Sequence, residues 1–261
     1  MRVLCVGDVM GRPGRRVLRE MLHRVQSEYR IDFTIANGEN AAGGFGMIPE
    51  KFQELMPLGI DVMTTGNHIW DRKEAYDLLN QTDRLLRPLN YPPGVPGRGF
   101  TVVDSQIGVP VAVINLQGRV FMPPIDCPFR GVEAVLPELQ RRTPIIFVDF
   151  HAEATSEKVA LGWFLNGKVS AVFGTHTHVQ TADERILPDG TAYITDLGMT
   201  GPHDSVIGMD VEGSIQRFLF HLPSKFTPET RGHRLNALVV EVNPETGRAT
   251  GVERLNLPLP S

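Results

Sequence analysis

Two histidines close together, His176 and His178 in the run Phe173-Gly174-Thr175-His176-Thr177-His178, are the first residues in this chain with obvious chemistry. Neutral imidazole is the commonest protein metal ligand. In an extended segment alternate residues face the same side, so this spacing can bring both rings to one metal cluster. Carboxylates and carboxamides recur elsewhere in comparable positions: Asp8, Asn37-Gly38-Glu39-Asn40, Gly66-Asn67-His68 and His151-Ala152-Glu153. Hard oxygen donors mixed with imidazole suit manganese, iron or zinc, and the near absence of cysteine argues against a thiolate site. The donor set is too large for one metal with an open catalytic position. It fits two metals bridged by a carboxylate, an arrangement that clamps the attacking and leaving oxygens of a phosphoryl displacement.

Each residue alone has an ordinary reading. Asp8 can cap a helix, asparagines in turns bond their own backbone, and His151 can be a satisfied core histidine. The metal reading rests on the set, because each residue or cluster follows a strand-like run. Arg2 to Val6, Asp32 to Ala36, Ile60 to Thr64, Pro144 to Phe150 and Ser170 to Phe173 are short apolar segments of the kind that form buried parallel strands. Helical periodicity separates several of them, over Arg15 to Tyr29, Pro49 to Met56, Arg72 to Leu79 (with Asp71 as cap), Val132 to Arg141 and Ser156 to Leu165. Alternating strands and helices predict a parallel sheet, and such sheets bind ligands at the carboxyl ends of their strands.

The remainder is more antiparallel. Phe100 to Asp104 and Val109 to Leu116 flank a turn at Gly108, and Arg185 to Leu187 and Ala192 to Ile194 flank Pro188-Asp189-Gly190. Leu235 to Val242 and Ala249 to Leu255 form a last hairpin, and Val211 to Phe220 a helix capped by Asp210. Asp196 to Asp210 is expected to be a glycine-rich loop. A single α/β domain over 1–261 is the expectation.

Composition is that of an ordinary globular protein of 261 residues with net charge −4. An acidic chain without lysine or arginine runs argues against stable nucleic-acid binding. Cys5 and Cys127 lie far apart, so no disulfide framework is expected. No membrane-spanning run or signal-peptide pattern is present, and a cytoplasmic location is expected. A homo-oligomer is compatible with the sequence, which does not define its state.

The order Gly7-Asp8, Gly38-Glu39-Asn40, Gly66-Asn67-His68, His151 and Gly174-Thr175-His176-Thr177-His178 resembles the blocks of the calcineurin-like metallophosphoesterases. Longer runs, Asn37 to Gly44, Asp149 to Lys158 and Gly198 to Pro202, resemble the bacterial YmdB-type branch. Met10 stands where many members of the wider superfamily have a histidine, and Glu39 where many have aspartate; the branch shares both features.

The resemblance implies a four-layer fold, a two-sheet β-sandwich flanked by helices. It implies two divalent or trivalent metal ions, iron or manganese before zinc. Asp8, Glu39, Asn40 and His178 would hold one, and Glu39, Asn67, His151 and His176 the other. His68 would be the general acid. The implied reaction is hydrolysis of a 2',3'-cyclic nucleotide to the 3'-phosphate by metal-activated water. The alternatives are a phosphomonoesterase or nuclease on the same site, or a ligand-sensing regulatory protein. Substrate walls are expected from Gly43 to Gly46, the Arg119 to Phe129 loop and Gly198 to Gly208. Phe45 or Phe121 could stack on a base, and Arg12 could meet a phosphate.

Overall fold

Short runs of apolar residues become strands here because both of their faces are covered. In β1 (Arg2–Val6), Val3 and Cys5 face one core while Leu4 and Val6 face another, the alternation of a pleated strand. A computed structural model describes residues 1–222 and 227–260 of the chain. After β1 come β2 (Asp8–Val9), α1 (Gly11–Glu28), β3 (Phe33–Asn37), α2 (Pro49–Leu55), β4 (Val62–Thr64) and α3 (Glu74–Gln81). Next are β5 (Phe100–Asp104), β6 (Pro110–Gln117), α4 (Pro128–Arg142), β7 (Ile146–His151), α5 (Thr155–Leu165) and β8 (Ala171–Thr175). The rest comprises β9 (Arg185–Ile186), β10 (Ala192–Ile194), β11 (Met199–Pro202), α6 (Val211–Phe220), β12 (His233–Val242) and β13 (Ala249–Pro258).

The strands form two sheets. One has the order β2-β11-β12-β1-β3-β4 with β13 beside β12; the other has the order β5-β6-β7-β8-β10-β9. Their facing sides share a core in which Phe33, Ile35 and Leu238 from the first sheet join Val113, Phe147 and Phe173 from the second. The outer face of the first sheet packs on the Val17, Leu18, Met21, Leu22 and Val25 stripe of α1. These positions recur at helical spacing, and burying each such side chain is worth roughly 1.5–3 kcal/mol. The outer face of the second sheet, through Ile146, Val148 and Phe150, packs with Val132 and Leu136 of α4 and Leu161 of α5. The four-layer α/β sandwich expected from the sequence is the fold observed.

Several boundaries differ from expectation. The first helix begins at Gly11 rather than Arg15, with Pro13 in its first turn. The Asp196–Asp210 stretch is not all loop: β11 fills the gap between β2, which it pairs in parallel, and β12, which it pairs antiparallel. Asp71 does not cap α3, which starts at Glu74 without a side-chain cap. It ends a 3-10 turn over Asn67–Asp71 and bonds backward to His68. Asp210 caps α6 as expected, its Oδ2 accepting from the Gly213 amide at 2.7 Å.

Candidate active site

Parallel pairing aligns strand ends. β1 pairs β3 with Val6 opposite Ala36, and β3 pairs β4 with Asn37 opposite Thr64. Asp8, Glu39, Asn40 and Asn67 therefore leave the first sheet along one edge. In the second sheet β7 and β8 are parallel with His151 opposite Thr175, which puts His176 and His178 just beyond. The two edges meet, and side chains far apart in sequence converge there.

The convergence has an unusual hydrogen balance. His151 Nε2 lies 3.0 Å from Glu39 Oε1, 3.1 Å from Asn67 Oδ1 and 3.0 Å from His176 Nδ1. One ring nitrogen carries at most one proton, so at most one of these approaches is an ordinary two-centre hydrogen bond. His178 Nε2 lies 3.3 Å from Asn40 Oδ1 and 3.9 Å from Asp8 Oδ1. Asp8 is fully buried, and its Oδ1 has no hydrogen-bond partner. Buried lone pairs that face one another with too few protons between them fit a cation. The Glu39, His151 and His176 donor atoms all fall within 4.8 Å of one another.

The protein's own charges show the strain of this crowding. Burial disfavours the charged form of His151, but Glu39, Asp8 and Asp149 outweigh it and push its pKa up to about 9. Burial would raise Glu39; His151 and the His68 amide outweigh that and hold it at about 2. His176, buried and beside a charged His151, falls to about 3 and stays a neutral ligand-like imidazole. Burial raises Asp8, although His178 and His151 pull the other way.

A second layer aims these donors. Thr175 Oγ1 bonds His151 Nδ1 at 2.9 Å and Asp149 Oδ1 at 2.7 Å, which leaves Nε2 pointed at the site. Asn37 is part of this layer: its Oδ1 accepts from the Glu39 amide and its Nδ2 donates to Asp149. Asn40 donates Nδ2 to Gly44 O, so its carbonyl oxygen faces inward. A Cβ on Gly66 would overlap the His151 ring, so only glycine lets β4 end beside it. The two histidines of the opening motif are not on an extended strand. The strand ends at Thr175, and His176 and His178 have φ of 103° and 66°, which turns their rings to different neighbours. His176 turns to His151, and its Nε2 meets Glu153 at 3.1 Å. His178 turns to Asn40 and Asp8, its Nδ1 bonded to Ile207 O.

His68 stands apart from the donors. Its backbone amide gives a bond to Glu39 Oε2 at 3.0 Å, and its Nδ1 meets Asp71 Oδ2 at 2.8 Å. Phe45 packs edge-on against its ring, centroids 5.1 Å apart. Glu39, Asn40, Phe45, His68, His176 and His178 line a cleft of about 650 Å³ that also includes Met10, Gly44, Val206, Met209 and, from α6, Arg217 and Phe218. Gly44, Phe45, Val206 and Ile207 thus belong to the wall, as the loop expectations had it. No described residue of the Arg119 to Phe129 loop lines the cleft, and Phe121 is exposed. Arg12 is also exposed and outside the lining. Met10 is a core residue, buried with Met199 and Met209 under the wall. Sequence spacing does not reveal that Asp71 meets His68 or that Arg217 lines the cleft: Asp71 has the look of a helix cap, and Arg217 comes from a distant helix with no local motif.

A two-sheet α/β sandwich with such a cleft at its strand ends is an architecture this chain shares with phosphatases. A family model described as YmdB-like protein matches residues 4–255, and the chain belongs to that family. A Bacillus subtilis (strain 168) protein named 2',3'-cyclic-nucleotide 2'-phosphodiesterase is 51% identical over 98% of this chain and 96% of its own length. A protein of Mycoplasma genitalium named putative phosphatase/phosphodiesterase is 37% identical over 99% of this chain and 94% of its own. Among solved structures, a hypothetical protein from Thermus thermophilus superposes with a TM-score of 0.93 at 43% identity, with 100% of each chain covered. A Mycoplasma pneumoniae structure titled a novel phosphatase gives 0.92 at 34% identity, covering 99% of this chain and 93% of that one. No helix among the described residues is long and apolar enough to cross a membrane.

Proposed function

We propose that this protein is a dinuclear-metal phosphodiesterase that hydrolyses 2',3'-cyclic nucleotides to nucleoside 3'-phosphates. The observation that carries the metal reading is the set of buried, proton-poor donors meeting at His151 Nε2 and at Asp8 Oδ1. Asp8, Asn40 and His178 would hold one metal, Asn67, His151 and His176 the other, with Glu39 shared between them. When bound, such metals neutralise charge on the phosphoryl oxygens and acidify the water that attacks phosphorus.

The chain supplies the rest. His68 has its Nδ1 engaged by Asp71, which leaves Nε2 to face the cleft as a proton donor. As the new water oxygen–phosphorus bond forms, the phosphorus–O2' bond breaks, and His68 gives its proton to O2'. The apolar wall of Phe45, Met209 and Phe218 offers a surface to the base, and Arg217 a cation for the phosphate. The choice of a cyclic nucleotide is supported by the name of the Bacillus relative.

Purified protein should be assayed for metal content and for turnover of 2',3'-cyclic AMP, nitrophenyl phosphate and single-stranded RNA. Turnover of the cyclic diester above the other two, with metal present, is expected. Turnover of the monoester alone, or a metal-free active protein, would overturn the reading.

A further inference from the structure

We propose that the buried Lys158–Asp196 ion pair is a positioning device that holds the His176–His178 turn in shape and so sets where its two imidazoles point. The inference rests on the metal-site reading above and names residues outside the donor set.

The pair is formed by α5 and by a residue just beyond β10. Lys158 Nζ lies 2.6 Å from Asp196 Oδ2, with side chains only 2% and 1% exposed. The stem of Lys158 runs against Gly174, where a Cβ would press on it and on the Thr195 carbonyl. The carboxylate does more than neutralise the lysine. Asp196 Oδ2 also accepts from the Thr177 amide at 3.2 Å and from Thr177 Oγ1 at 2.8 Å, and Oδ1 accepts from the Gly198 amide at 2.8 Å. Thr177 is the residue between the two histidines, and both of those have left-handed backbone. Such conformations cost of order 1–3 kcal/mol each and persist only where surrounding bonds over-determine them. Asp196 supplies the bonds to the middle of the turn, and Lys158 holds Asp196.

Stability alone does not call for an ion pair here. Apolar side chains of similar volume commonly replace a buried pair at no loss, whereas removing one partner strands a charge. The two roles therefore separate experimentally. Lys158→Met should lower Tm and weaken manganese binding to the metal-free protein by about 10–100-fold, the usual cost of losing an outer-shell partner. The double variant Lys158→Met/Asp196→Leu should recover part of the Tm lost in the single variant, yet bind manganese as weakly, because Thr177 has then lost its acceptor. Thr177→Val, which keeps the Lys158–Asp196 pair and the Thr177 amide bond, should weaken binding several-fold with a smaller fall in Tm than Lys158→Met. Binding is read by calorimetric titration, with Asn67→Ala as the control that removes a ligand. If Asn67→Ala loses manganese while the double variant and Thr177→Val bind it like the wild type, the positioning role is wrong and the metal site stands. A wild type that binds no transition metal overturns both.

Discussion

His68 has one nitrogen left for chemistry, because Asp71 occupies the other. A general acid matters most when the leaving group is a poor one. His68→Ala should therefore lower kcat on 2',3'-cyclic AMP by about 10²–10⁴, and much less on bis(nitrophenyl) phosphate, whose phenolate departs unaided. Asp71→Asn should show the same contrast in weaker form, with metal content unchanged. Equal losses on both substrates, measured side by side, would remove His68 from this role. The carboxylate–imidazole pair was hidden in the sequence because a carboxylate three residues after a histidine looks like a helix cap. Only the 3-10 turn over Asn67–Asp71 brings the two together. The convergence of the proposed donors was legible, since oxygen- and nitrogen-bearing side chains recur where short apolar runs end. What spacing could not show was the left-handed turn that separates His176 from His178.

A second consequence of individual charges concerns pH. With metals removed, His151 titrates near 9 against an ordinary 6.5, because Glu39 overcomes its burial. A raised base stabilises the fold fully below its unfolded value and loses that contribution as pH rises through the folded one. Glu39, held near 2 against 4.5, contributes above 4.5 and loses it as pH falls through 2. Their pairing is thus complete between about pH 4.5 and 6.5. Calorimetry of the chelated protein should find Tm falling from about pH 6.5 to 9. Metal binding, which needs neutral His151, should release a proton at about pH 7.5 and tighten as pH rises. A Tm that climbs over the same alkaline interval would contradict the pairing.

Strands and helices explain how such donors can sit so close. β4 can end against His151 only through Gly66, because a methyl there would overlap the ring. Gly66→Ala should cost about 1–3 kcal/mol of stability, as overpacking does, and should lower metal affinity along with it. A denaturant titration and a metal titration on the same variant test this; stability lost with metal affinity intact would mean that the ring moves without cost to the site. Elements with a strong internal pattern, such as the α1 stripe and the buried runs of β1, β3 and β7, were legible from sequence to within a few residues. β11 was not. Met199-Thr200-Gly201-Pro202 has neither alternation nor strong strand propensity, and it is extended because β2 and β12 stand on either side with edges to pair. Tertiary context overrides local preference there, and the same context places Gly198, Val206 and Ile207 near the histidine turn.

Considered as one body, the fold splits each proposed metal site between its two sheets. Asp8, Glu39, Asn40 and Asn67 come from the sheet containing β1, β3 and β4, while His151, His176 and His178 come from the sheet containing β7 and β8. The sheets are otherwise joined by the apolar, non-directional core of Phe33, Ile35, Phe147 and Phe173 and by a few buried hydrogen bonds, such as those from Asn37 and Thr64 to Asp149. Bound metals would add directional links across the sandwich at one edge, available only when both sheets are in register. A ligand that binds the folded chain alone stabilises it by mass action, about 2.7 kcal/mol when present at 100 times its Kd. For a chain of this size that corresponds to a Tm higher by about 5–10 °C. Scanning calorimetry of the manganese-loaded protein, before and after chelation, should show a drop of that order. Asp8→Ala and His151→Ala, one from each sheet and each removing a donor to a different proposed metal, should each reduce the drop. A chelation effect that survives in one variant and vanishes in the other would place the stabilisation at one of the two proposed metals rather than at both.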